Sequence, residues 1–382
     1  MKLEQRHWTV GKGWTPAGPE LAGAADLVFV FGETSLLKQK NLLDQIQGFY
    51  PGAYLFGCST SGEIFQDRVY DDSITTMAIK FEKTKMRSAS LHLPTVKDSF
   101  EAGLKLASSL EHQDLTHVLV LSVGLAVNGS ELVKGLSQGL PSPVTVTGGL
   151  AGDKDRFHET LVIAGSEVSN DSIAVVGLYG SHIKIRSASL GGWDPFGSER
   201  LITKSKGNVL YELDGQSALE LYKVYLGTHA KDLPGSALLF PLCLRSDDSK
   251  GGLVRTILAV DEKTQSMTFA GDVPEGTYVR FMKANFDRLI EGAVGAAEKS
   301  MSLKKASPEL ALLISCVGRK LVLKQRVEEE VEGVREIFGP KTAITGFYSY
   351  GEISPFTPNA KCELHNQTMT ITSFMESDDE AS

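Results

Sequence analysis

Apolar residues fall in short unbroken runs separated by stretches of helical period, and the order of the two recurs. Leu27-Val28-Phe29-Val30-Phe31 is wholly apolar and ends at Gly32. The segment SLLKQKNLLDQIQGFYPG that follows repeats its leucines and isoleucine at helical spacing and is stopped by Tyr50-Pro51-Gly52. Ala53-Tyr54-Leu55-Phe56 then leads as a strand into GCSTSGEI (57–64), and alternation predicts strands over Ser73 to Phe81 and Met86 to Leu93. A second round begins with an amphipathic helix over Ser99 to Leu110 and an apolar strand over Val118 to Val123. A helix from Gly129 to Gly139 follows, capped by Asn128 and Ser130. The strand from Pro141 enters TGGLAGD (147–153), LVIAGSEV and SIAVVGLYG read as a hairpin-like pair, Ser181 to Ser187 reads as a strand, and GGWDPFG (191–197) reads as a loop.

Asp214-Gly215 is a turn signal before the helix SALELYKVYLG, which marks the expected domain boundary. Beyond it LLFPLCLRS, VRTILAVDE and SMTFAGDVPEG read as strands, and a long helix is expected to begin near Val279-Arg280-Phe281. Leu310 to Val317 is an apolar strand running into Gly318-Arg319, with a helix over Glu328 to Phe338 and a strand into GFYSYGEI (346–353) after it. The tail ESDDEAS is acidic and expected to fray. The sequence thus predicts an α/β fold, with internally duplicated strand-helix-strand units forming mixed sheets in two domains around a shared cleft.

The octapeptides GCSTSGEI and GFYSYGEI share Gly, a hydroxyl, Gly and Glu-Ile in one register, and TGGLAGD is a looser copy ending in Asp. Glu63 and Glu352 follow glycines that allow close backbone approach or positive φ. Their carboxylates suit the amino group of a small ligand or an acid/base pair, and equally a helix cap or an arginine partner. Arg319 is the natural counterpart of a ligand carboxylate, or else a structural pair. Ser59, Thr60 and Tyr348 supply hydroxyls beside these turns. Cys58 suits a nucleophile only with a base nearby, and no histidine is close in sequence. The phosphate-cradling lysine motif and the HExxH run are missing from the chain.

With 382 residues, of which 42% are hydrophobic, the chain can bury a large core, and its net charge of -8 is spread over its length. No nucleic-acid or membrane partner is implied. No uncharged apolar run approaches the roughly 20 residues of a membrane helix, so a cytoplasmic protein is expected. Cys58, Cys243, Cys316 and Cys362 are widely spaced without CxxC pairing, and buried thiols are expected at all four.

GCSTSGEI, LSVGLAVNGSELVKGL, GGWDPFG, ELDGQSALELY, LISCVGRKLVL, and GFYSYGEISPF followed by CELHNQTMTI together resemble the FIST family of bacterial sensory proteins, from near Asp26 to near Phe374. The resemblance implies a FIST N-like domain over 26–215 after an N-terminal segment 1–25, a FIST C-like domain over 216–374, and a tail over 375–382. It implies a non-enzymatic, ligand-binding input module that reports to a separate histidine kinase or cyclic-di-GMP enzyme. Some members look like nitric-oxide-sensing haemoproteins. The alternatives are a sensor of an amino-acid-like metabolite without haem, or an enzyme using Glu63 and Glu352 or Cys58. A haem here is non-covalent, since CxxCH is missing, and its candidate axial ligands are His182, near Trp193 and Phe196, and His365. His7, His112, His117 and His229 are expected to be solvated.

Overall fold

The computed structural model describes residues 1–233, 235–245, 252–301, 307–356 and 361–377. Three equivalent units build its main body. Each opens on a buried apolar strand (Leu27–Gly32, Leu115–Ser122, Leu310–Cys316), passes through a helix (Lys40–Phe49, Gly129–Gly139, Val327–Phe338), and returns by a second strand parallel to the first (Tyr54–Ser59, Thr145–Leu150, Ala343–Ser349). A closing strand (Ser73–Lys80, Ser172–Tyr179, Met369–Glu376) pairs antiparallel to the first, and an edge strand (Lys2–Thr9, Lys85–His92, Ile183–Leu190) pairs with the closing strand. Both faces of the first strands are covered, which is why they read as unbroken apolar runs.

Between its second and closing strands, each unit sends a short strand into another unit's sheet. Glu63–Phe65 pairs with Ala343–Ser349, Gly351–Pro355 with Thr145–Leu150, and Val162–Ala164 with Tyr54–Ser59. The exchange is cyclic, so the three sheets enclose one common core. Phe29, Phe31 and Phe56 of the first unit meet Leu119, Leu121 and Val176 of the second and Leu312, Ile314 and Phe347 of the third there. The rings of Phe31 and Phe347 lie 4.7 Å apart across two units. Helices cover each sheet from outside, burying Leu42 and Ile46 on the first, Leu132 and Leu136 on the second, and Val331 and Phe338 on the third.

A further body is inserted in the third unit, between its edge strand and the helix Phe286–Ser300. Its sheet includes Asp194–Lys206, Val209–Leu213, Leu253–Arg255 and Tyr278–Lys283, and a separate core packs around Leu210, Tyr222, Phe269 and Phe281. The mixed α/β class is therefore as the sequence predicts, but the turn at Asp214-Gly215 does not divide two cores. Residues 310–376 return to the core that residues 27–178 begin. Within the segment 1–25, Lys2–Thr9 is the first unit's edge strand.

Four local expectations are corrected. LVIAGSEV forms its own small hairpin, Val162–Ala164 with Glu167–Ser169, because Val162–Ala164 joins the first unit's sheet while Ser172–Tyr179 belongs to the second unit's. In GGWDPFG, the residues from Asp194 onward lie in a strand pairing with Tyr278–Lys283. That pairing makes 278–283 a strand and delays the helix to Phe286, where Asn285 caps it. Met375 and Glu376 are held in the closing strand, where Glu376 accepts the amides of Glu82, Lys83 and Thr84. The tail after Ser377 lies outside the described residues.

Candidate functional site

The recurring glycine turns sit at equivalent places in the three units. Gly57, Gly148 and Gly346 face Val30, Val120 and Leu313 of their own first strands. A Cβ there would stand 1.9, 1.8 and 1.8 Å from the facing carbonyl oxygens, so only glycine lets the parallel strands close. At Gly62, where φ is +140°, a Cβ would stand 2.4 Å from Lys320 Nζ, so this glycine makes room for a lysine of the third unit. Lys320 donates to the Ser61 carbonyl at 2.8 Å and to Asp71 at 2.6 Å.

The carboxylates of the turns are enclosed. Thr60 donates to Glu63 Oε1 at 2.5 Å and Ser73 to Oε2 at 2.6 Å, while Ser349 donates to Glu352 Oε1 at 2.7 Å and Thr368 to Oε2 at 2.9 Å. Burial pushes Glu63 up to about 7 and Glu352 up to about 8, against the opposing effect of these hydroxyls. Asp153 of the third turn is buried as well, but it is bonded by Arg156, the Glu159 amide and Thr34. These partners overcome the effect of burial and hold it below the ordinary aspartate value. The two glutamates are thus self-satisfied hydrogen-bonded knots rather than groups open to a ligand.

Arg319 is wholly buried and fully engaged. Its Nε and Nη2 donate to Glu330 Oε2 at 3.0 and 2.7 Å, Nη1 to the Gly191 carbonyl at 2.9 Å, and Nη2 also to the Leu289 carbonyl at 2.6 Å. Tyr348 donates to the other oxygen of Glu330 at 2.7 Å. The cluster ties the third unit to both ends of the inserted body, so the expected role of Arg319 toward a ligand carboxylate is taken by Glu330. Cys58 lies in the common core, where no basic residue among the described ones bonds it, and burial pushes its thiol well up. Ser59 donates to the Gly152 carbonyl and accepts the Leu161 amide, both at 2.8 Å, bonding the first two units together.

The histidines divide differently from the expectation. His112 and His229 are exposed. His117 is fully buried between the hydroxyls of Thr145 and Thr147, and burial lowers it to about 3. His7 stacks on Phe65 and meets the tilted ring of Tyr70, and burial lowers it to about 4. His182 is half-buried at a strand end, with Nδ1 at 3.1 Å from the Ser377 carbonyl. His365 is 1% exposed, bonds the Ser354 carbonyl at 2.8 Å, and is packed edge-on by Phe356 at 4.3 Å, while its Nδ1 has no partner among the described residues. Trp193 donates to the Gln367 carbonyl and Phe196 packs in the inserted core, so the apolar wall expected beside His182 does not form. These residues do not fit a haem. Among the described residues no group of His, Cys, Asp and Glu is arranged to hold a metal ion, and no helix is long and apolar enough to cross a membrane.

The open space lies elsewhere. A cleft of about 860 Å³ separates the second unit's helix Gly129–Gly139 and strand Thr145–Leu150 from the inserted sheet. Ser130, Val133 and Lys134 form one wall, Leu253, Arg255 and Asp272 the other, and Cys362, Glu363 and Leu364 of the third unit close one side. None of the residues picked from the glycine turns lines it. Sequence reasoning passed over Arg255, although a lone arginine in the apolar run LVRTIL was its signal.

A three-unit α/β body with an inserted sheet and a cleft at their junction is thus the class of protein that the structure defines. The chain belongs to the FIST family: residues 26–216 match the FIST N domain and residues 218–355 the FIST C domain. FIST domains are associated with sensing in signal transduction. Over 345 residues the chain is 25% identical to an uncharacterized protein of Methanocaldococcus jannaschii, a match covering 83% of this chain and 65% of that relative. A crystal structure of chorismatase aligns over 97% of this chain and 98% of its own at 10% identity and a TM-score of 0.35.

Proposed function

We propose that this protein is a ligand-binding sensory protein that takes a small molecule into the cleft between the second unit and the inserted sheet. The observation that carries the reading is the composition of the cleft walls, which come from both the FIST N and the FIST C regions. A ligand touching both walls binds one relative placement of the two bodies better than another, and this differential affinity is what couples a ligand to an output. The proposed recipient of the output is a histidine kinase or a cyclic-di-GMP enzyme. Binding without catalysis is favoured by the buried Cys58, which no described basic residue bonds, and by the enclosed carboxylates of Glu63 and Glu352.

A thermal-shift screen against a broad set of small metabolites tests the reading. At least one compound is expected to raise Tm by mass action. Val133→Trp, which fills the cleft from the helix side, is expected to abolish that shift. A screen in which no compound shifts Tm, or in which V133W responds like the parent, overturns it. Protein supplied with haem that shows a Soret band moving with nitric oxide would replace it by gas sensing.

A further inference from the structure

Arg255 is 3% exposed, yet no carboxylate among the described residues lies within ion-pair distance of it. Its Nε donates to the Asp272 carbonyl at 3.1 Å and its Nη1 to the Leu364 carbonyl at 2.9 Å, while Nη2 makes no hydrogen bond to a described residue. A buried guanidinium is ordinarily paired, because desolvating an uncompensated charge is costly. Burial lowers this one to about 10, an effect that the charges of Glu363 and Asp272, neither directly bonded to it, offset only in part.

Ser130 stands beside it. Its hydroxyl is buried and without a hydrogen-bond partner among the described residues. A Cβ on Gly271 would lie 2.9 Å from Arg255 Nε and 3.1 Å from Ser130 Oγ, so the two groups stand close together beside this glycine. Both line the cleft. The lining carries four cations, Lys134, Arg245, Arg255 and Lys361, against two carboxylates, Asp272 and Glu363, in a chain whose net charge is -8. Asp272 is already occupied by Asn128 and Lys134.

We propose that the cleft binds a small organic anion, whose carboxylate or phosphate group is held by the Arg255 guanidinium and the Ser130 hydroxyl. The inference deepens the sensory reading above and rests on it. An oxyanion would supply a directly bonded counter-charge through charge-assisted hydrogen bonds and accept the unused O–H of Ser130. The apolar side chains of Val133 and Leu253 leave room beside this anchor for a carbon skeleton, as in most small-molecule sites.

The test is calorimetric titration of the full chain with succinate, with glycerol 3-phosphate, and with glycerol as the uncharged skeleton. Binding of one or both anions and none of glycerol is expected. Succinate alone would identify a carboxylate site, glycerol 3-phosphate alone a phosphate site, and both together a site that reads charge. Arg255→Gln is expected to abolish binding. Ser130→Ala, which removes an unpartnered hydroxyl and should leave Tm unchanged or higher, is expected to weaken binding by about three- to tenfold. S130A keeps the test decisive if R255Q does not fold. The proposal is overturned if neither anion binds more tightly than glycerol, or if S130A binds the anions as tightly as the parent. A cleft that takes up only uncharged metabolites, with V133W blocking them, would remove the anion site and leave the sensory reading standing.

Discussion

At the scale of single residues, the buried charges divide into those that stabilise and those that cost. Arg319 and Glu330 satisfy one another, and removing either leaves the other uncompensated in the interior. Glu330→Ala is therefore expected to destabilise by about 3–5 kcal/mol, and a paired Arg319→Met, Glu330→Leu replacement by clearly less, as read from denaturant unfolding. Glu63 and Glu352 behave in the opposite sense. Their folded values lie above the unfolded carboxyl value, so the native state holds protons that the unfolded chain has released. Their stabilising contribution is complete below the unfolded value and is lost as pH rises to about 7 and 8. Glu352→Gln should accordingly raise Tm at pH 8 and have little effect near pH 5, and a substitution effect independent of pH would contradict this assignment. These glutamates were conspicuous in sequence because they recur, and recurrence marks a repeated structural solution as readily as a ligand site.

At the scale of elements, the glycine turns are conditions for strand pairing. Ala at Gly57 or Gly346 would drive a methyl into the carbonyl of the adjacent parallel strand, so each substitution is expected to cost on the order of 3 kcal/mol or more. Gly48, in the helix Lys40–Phe49, has nothing within 4 Å of a Cβ, and Gly48→Ala is expected to stabilise by about 0.5–1 kcal/mol. Equal effects at Gly48 and Gly57 in chemical denaturation would refute the packing argument. Helices and strands were legible where a cap or period was local, as with Asn128 before Gly129–Gly139. Segment 278–283 was misread because its strand state is imposed by partners at 194–201 and 242–244, distant in sequence.

At the scale of the whole molecule, the cyclic exchange of short strands makes the three units interdependent. A chain ending at residue 216 lacks Ala343–Ser349, the partner of Glu63–Phe65, and opens the common core on the side of Phe31. Such a fragment is expected to be insoluble or to melt without a cooperative transition, while hydrogen exchange in the full chain should report similar protection for Leu27–Gly32, Leu115–Ser122 and Leu310–Cys316. Independent folding of 1–216 with native-like protection would show that the units do not need one another. The inserted body, with its own core around Tyr222 and Phe281, is the part whose exchange can differ and whose placement sets the width of the cleft.

The sequence by itself determined the α/β class, the repetition of strand-helix-strand units, most helix limits and the family, because those rest on period, capping and motif order along the chain. Tertiary structure alone decided that residues 310–376 complete the core of the first two units, and that Glu63, Glu352 and Arg319 face inward to fixed partners. It alone placed Ser130, Arg255 and the 362–364 segment around one cleft. The physical reason is that a side chain's chemistry depends on what desolvates and neutralises it, and the fold assembles those neighbours from three residues away, as Thr60 for Glu63, to 128 residues away, as Gly191 for Arg319.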